Sequence, residues 1–130
     1  MRREEYNALS SQIIGCAVEV HKNLGPGLME SVYDFCLYEE LTGHGLYVQR
    51  QKPLSVIYKG KPLNKTFIVD QLVEDVIILE LKSVETTIAL HEAQLLTYLR
   101  LAGIKLGLLF NFNVVSLVQE GIRRKINGTL

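Results

Sequence analysis

The sequence predicts an α/β fold, with a mixed central sheet of antiparallel hairpins plus one βαβ crossover, flanked by helices. Three observations predict it. Phe67 to Lys82 reads as two apolar strands around a tight acidic turn at Glu74-Asp75, with the run Val76-Ile77-Ile78-Leu79 rich in β-branched residues and too short for a typical helix. After Lys82 the apolar period becomes helical from about Thr86 to Ala102, and Ile104 to Phe112 then reads as a strongly apolar strand. Strand, helix and strand joined by short loops make a βαβ unit whose strands are parallel. Two helical patterns precede the first strand, and 130 residues suffice for a single domain over 1–130 with a core of its own.

The first helix is expected to start near Ser10 or Ser11, either of which can cap it. Ile13, Ile14, Ala17, Val18 and His21 recur at helical spacing, which turns His21 toward protein as a hydrogen-bonded core histidine. Leu24-Gly25-Pro26-Gly27 breaks this helix. A second helix is expected from about Leu28 to Leu41, with Leu28, Val32, Phe35, Cys36 and Leu37 as its apolar positions and Gly43 and Gly45 as its stop. Glu30 falls in its first turn, where the helix dipole favours a carboxylate, and Tyr33 is its neighbour on the helix surface.

Leu46 to Gln49 and Leu54 to Tyr58 read as two strands separated by Arg50-Gln51-Lys52-Pro53, and Lys59-Gly60-Lys61-Pro62 reads as a turn. In the later helix, Gln94 and Tyr98 are four apart, on one face with Leu90 and Leu101, and Gly103 stops it. Ser116 to Glu120 reads as a helical turn or loop, and Gly121 to Ile126 as an edge strand. Its basic run Arg123-Arg124-Lys125 either guards that edge or contacts phosphate.

Asp70, Glu80 and Lys82 interrupt the apolar hairpin, and a charge in a buried strand needs a partner or a metal. Glu80 and Lys82 share a face, since side chains alternate along a strand. A three-residue turn puts Asp70 opposite Glu80 on that face, whereas a two-residue turn sends it to the other. The three-residue turn, which gathers the charges on one face, is expected. Spacing alone leaves open whether the three charges form a metal site or an ion pair at a sheet end.

Fourteen basic and fourteen acidic residues cancel, so the simplest argument for nucleic-acid binding, a basic excess, is missing. Cys16 and Cys36 sit among apolar neighbours in helical patterns and read as small buried hydrophobes without zinc-ligand spacing. No apolar run approaches a membrane span and no signal peptide is visible, which makes a cytoplasmic, membrane-free protein the expectation.

Gly27-Leu28-Met29-Glu30-Ser31-Val32-Tyr33 matches the pattern Gly-x-x-Glu-x-x-Tyr. With Val20 to Gly27 before it, and Ala93 to Leu99 and Gly107 to Phe112 after it, the chain from about Ile13 to Arg124 resembles the GxxExxY protein family, placed in the PD-(D/E)XK nuclease superfamily. Gln94 and Tyr98 match the Gln-x-x-x-Tyr helix of RecB-like members. The resemblance implies a restriction-endonuclease-like core with Asp70, Glu80 and Lys82 as its central motif. Val69 stands where the motif's name has proline, at a position that varies in the superfamily.

The activity implied is divalent-metal-dependent hydrolysis of nucleic-acid phosphodiesters, with DNA ahead of RNA as partner. Mg²⁺ is the implied cofactor, with Mn²⁺ as a substitute, because it activates water and neutralises phosphate charge while needing few protein oxygens. Asp70 and Glu80 are implied metal ligands, with the Leu81 carbonyl a third and Glu30 holding a second metal or a metal-bound water. Lys82 is implied to orient the attacking water or stabilise the developing charge, and Gln94 and Tyr98 to position the site or substrate. Tyr33 stands between packing and the site. The other readings are a non-catalytic nucleic-acid-binding or regulatory module keeping the nuclease fold, and a structural ion-pair network. A homodimer or protein partner would reconcile a nuclease with the balanced charge.

Overall fold

A computed structural model describes residues 1–130. The order is α1 (Arg3–Leu24), α2 (Glu30–Gly43), β1 (Val48–Tyr58), β2 (Lys61–Val73), β3 (Ile77–Lys82), α3 (Ala89–Ala102), β4 (Leu106–Asn111), α4 (Leu117–Glu120) and β5 (Ile122–Ile126). One sheet runs β1-β2-β3-β4-β5. β1, β2 and β3 pair antiparallel, β3 and β4 pair parallel, and β5 closes the far edge antiparallel to β4. This is the predicted mixed sheet with its βαβ crossover through α3.

The central turn has three residues, Glu74-Asp75-Val76, and Val73 pairs with Ile77. Glu74 and Asp75 have φ of 52° and 59°, a left-handed region that Asp enters more readily than most residues. Glu74 ties the turn to the start of β1: its N–H donates to Tyr47 O at 2.8 Å, and its carboxylate accepts from Tyr47 N at 2.6 Å.

Helices cover both faces of the sheet. On one side α1 and α2 pack on Val73, Ile77, Leu79, Leu81, Leu108 and Phe110. On the other, Leu95 and Leu99 of α3 pack on Val69, Leu72, Ile78 and Leu109. β3 and β4 are buried on both faces, as their continuous apolar runs require. Gly107 lets α3 approach, because a Cβ there would stand 2.8 Å from Leu95 Cδ1.

Several elements depart from the sequence reading. α1 begins at Arg3, with Ser10 buried inside the helix. Tyr6 and Leu9 extend the buried stripe of Ile13, Cys16, Ala17 and Val20 upstream by two turns, so packing overrides the serine cap signal. α2 buries Tyr33, Asp34, Leu37 and Leu41, while Leu28, Val32 and Phe35 are exposed. α3 likewise buries Leu95 and Leu99, and Leu90 is exposed.

β1 is one strand rather than two. Pro53 is tolerated in it because β1 lies at a sheet edge. Gln51, at φ 48°, marks the irregularity that reads as a break. There the strand turns over: Val48 faces the α1–α2 core, whereas Leu54 joins the α3 cluster. The expected turn after β1 reduces to Lys59 and Gly60, both at positive φ, the geometry that two-residue hairpin loops favour.

Candidate functional site

β2 leaves β3 at the point where the charges gather. Their ladder runs from Val73–Ile77 to Gln71–Leu79 and stops, one pair short of Asp70 and Glu80. In place of a backbone acceptor, Asp70 Oδ2 receives the Leu81 N–H at 2.8 Å. β2 also turns over here, since Val69 and Leu72, three apart, both enter the α3 cluster. Asp70 is therefore half-buried where the sheet splays, and its carboxylate reaches the backbone of the strand that carries Glu80 and Lys82.

Glu80 is 6% exposed and its Oε1 has no hydrogen-bond partner. Burial, then a hydrogen bond and like charge from Asp70, push its carboxyl up to about 10, against a smaller downward pull from Lys82. Tyr98, half-buried on α3, stacks on Phe67 of β2 with ring centroids 4.7 Å apart. Its phenol is pushed up by burial and then by the charges of Glu80 and Asp70. The carboxyl of Glu30 is pushed up by partial burial first, then by Asp70 with Asp34 adding, while Lys82 opposes. Glu30, Asp70, Glu80, Lys82 and Tyr98, from four separate elements, thus share one electrostatic neighbourhood. Gln94 lies one turn before Tyr98 on α3, exposed and with no side-chain hydrogen bond inside the chain.

The segment Gly27 to Tyr33 has a physical basis. Gly27, at φ 96°, turns the chain into α2. Glu30 occupies the first turn of the helix, and Ser83 just after β3 donates to Leu28 O at 2.6 Å, tying the entry of α2 to the end of the lysine strand. Tyr33, one turn on, is fully buried and stacked on Phe112 at 4.6 Å. Its hydroxyl donates to Gly25 O and accepts from Leu28 N at 3.2 Å, bracing the loop that delivers Glu30. Tyr33 is thus a packing residue that acts on the site through the loop.

A second brace escapes the sequence reading. Buried Asp34 accepts two bonds from the Arg50 guanidinium, at 2.8 and 3.1 Å. Gln71 Nε2 donates to both Asp34 O and Asp34 Oδ1 at 2.9 Å. Arg50 lies over Phe35 and Tyr38, which explains why Phe35 is on the surface of α2. The network pins the helix bearing Glu30 to the strand residue after Asp70. At the other end of β3, Asn111 holds the chain after Lys82 through bonds to Val84 N and O at 3.1 and 3.0 Å.

His21 is a buried core histidine, its Nε2 2.8 Å from Val114 O. Cys36 is half-buried and Cys16 buried. Cys16 is not only packed: its thiol lies among Glu40 and His44, with one ligand-capable atom from each within 4.8 Å of the others. Burial and Glu40 push the thiol up. This cluster lines a cavity of about 430 Å³ between α1 and α2 and shares no residue with the Asp70 site. The sequence conceals it because its members come from two helices.

Of the C-terminal basic run, Arg123 and Lys125 both pair with Glu92, at 3.8 and 2.7 Å, and Arg124 bonds Asn7 at 2.7 Å. The run lies on the edge strand β5 and all three of its side chains have partners within the chain. No helix is long and apolar enough to cross a membrane.

Among known families, the model of the PD-(D/E)XK nuclease superfamily matches residues 7–125. No curated protein and no solved structure matches the chain.

Proposed function

The chain belongs to the PD-(D/E)XK nuclease superfamily, and on that premise we propose that it is a divalent-metal-dependent nuclease of the GxxExxY type, with DNA ahead of RNA as its substrate. The observation that carries the reading is Glu80. A buried carboxyl held near 10, with one oxygen unpartnered and a second carboxylate against it, is costly for a chain folding alone. A cation between Asp70 and Glu80 removes that cost, so the residues fit a metal.

Mg²⁺ is the ion we assign, on the hard oxygens of Asp70 and Glu80 with the Leu81 carbonyl as a third ligand. When bound, it lowers the pKa of water and offsets phosphate charge. Lys82, on the face of Glu80, orients the attacking water and stabilises charge developing on the phosphate. Glu30 accepts a proton from that water or helps hold a second ion. Tyr98, fixed by its stack on Phe67, closes the α3 side of the site. Gln94, free on the exposed face one turn earlier, positions the substrate backbone.

The test is cleavage of labelled DNA and RNA with Mg²⁺ or Mn²⁺, beside calorimetric metal binding, for the wild type and Glu80→Gln. Wild-type cleavage lost with metal binding in Glu80→Gln is expected. Absence of divalent-ion binding by the wild type, or cleavage surviving in Glu80→Gln, sinks the reading. Metal binding with no cleavage of any substrate supports the non-catalytic module instead.

A further inference from the structure

The balanced net charge conceals an arm. From Arg50 to Val69 the chain carries five of its fourteen basic residues, Arg50, Lys52, Lys59, Lys61 and Lys65, and none of its fourteen acidic ones. This stretch is the β1–β2 hairpin beyond the point where β3 lets go, so it is a two-stranded ribbon without a third strand. Its base rests on α3 through Leu54, Phe67 and Val69. Beyond the base, every residue from Ile57 to Thr66 is exposed. Arg50 is engaged by Asp34, but Lys52, Lys59, Lys61 and Lys65 form no ion pair.

A ribbon of unpaired lysines can guard a sheet edge against aggregation. Two features go beyond that role. The arm bears large exposed side chains, with Tyr58 60% and Ile57 48% exposed, which an edge guard would avoid. Its strand β2 also runs directly into Asp70. We infer that the β1–β2 arm is the surface that grips the nucleic-acid backbone, carrying it across the Asp70–Glu80 site. This inference rests on the nuclease reading and names the binding surface for it. Four ammonium groups without a carboxylate partner complement a polyphosphate, and the exposed Tyr58 stands among them with Lys59 Nζ 5.5 Å from its ring centroid.

Lys61 lies nine residues from Asp70. At about 3.3 Å per residue the arm reaches about 30 Å to one side of the site. Laid along a duplex, that is about nine base-pair steps at ~3.4 Å each. The contacts are therefore one-sided, extending from the scissile bond in a single direction.

The experiment measures binding of the full chain to labelled duplex DNA, single-stranded DNA and RNA in EDTA, where cleavage cannot compete, over a salt series. The quadruple variant Lys52→Gln/Lys59→Gln/Lys61→Gln/Lys65→Gln is expected to bind duplex about 100-fold more weakly at low salt, with the log–log salt slope shallower by about 3–4. The matching Lys→Arg variant should retain wild-type binding. Melting and Mn²⁺ binding verify the fold. If the quadruple variant does not fold, the exposed tip pair Lys59→Gln/Lys61→Gln replaces it, with a slope change of about 2. Unchanged affinity and slope in the glutamine variants overturn the arm and leave the nuclease reading standing. A wild type that binds neither DNA nor RNA overturns both.

Discussion

Glu80 makes the stability of the metal-free protein depend on pH. Its folded value of about 10 lies above the ordinary 4.5, so between those limits the native state holds a proton that the unfolded chain has lost. Its contribution is fully present below 4.5 and is lost as pH rises through about 10. Chemical denaturation in EDTA should show the wild type losing up to about 1.4 kcal/mol per pH unit across this window, a slope that Glu80→Gln removes. Metal binding requires the anion, so divalent-ion affinity should rise with pH over the same range, read by calorimetry. Asp34 gives a second test. Asp34→Ala leaves the Arg50 guanidinium and the Gln71 amide without their shared acceptor and should cost about 2–3 kcal/mol in urea melts. Tyr33→Phe removes both hydroxyl bonds and should cost about 1–2 kcal/mol. It should also depress activity by loosening the loop behind Glu30, to an extent that saturating metal does not restore.

At the scale of elements, the hairpin was the most legible part. Turn length is local, so the three-residue loop and the Val73–Ile77 pairing could be read off, whereas the turning-over of β2 at Asp70, which sets its carboxylate on the Leu81 amide, could not. The βαβ unit was legible because its apolar period changes sharply after Lys82. The face of α1 was legible too, since Ile13, Ala17 and His21 are buried, but that of α2 was not: Val32 and Phe35 are apolar yet exposed, because Tyr33, Asp34 and Leu37 took its inward face. The brace from Asp34 through Gln71 to Arg50 spans three elements, and no local pattern joins them. Close approach sets its own constraint at Gly121, where a Cβ would collide with the Asn111 carbonyl of the adjoining strand. Gly121→Ala should therefore destabilise by about 1–3 kcal/mol in denaturant melts. Because Asn111 also secures the chain after Lys82, that variant should lose activity beyond its loss of stability.

For the whole molecule, total charge was a misleading quantity. The sum of zero joins a basic ribbon to an acidic remainder, and an extended polyanion responds to the local field of the ribbon. A total of zero is therefore compatible with a local contact to a polyanion. If that ribbon meets nucleic acid first, association should slow steeply with added salt in stopped-flow experiments.

The splay between β2 and β3 also gives the molecule a built-in signal. One amide proton, that of Leu81, is held by a carboxylate oxygen that the ion would claim. Its nuclear resonance and its rate of exchange with deuterium should change as the ion arrives, while the amides of Leu79 and Ile78 in the intact ladder stay fixed. Occupancy of the centre can then be followed in the native chain, at a single backbone atom and without substrate.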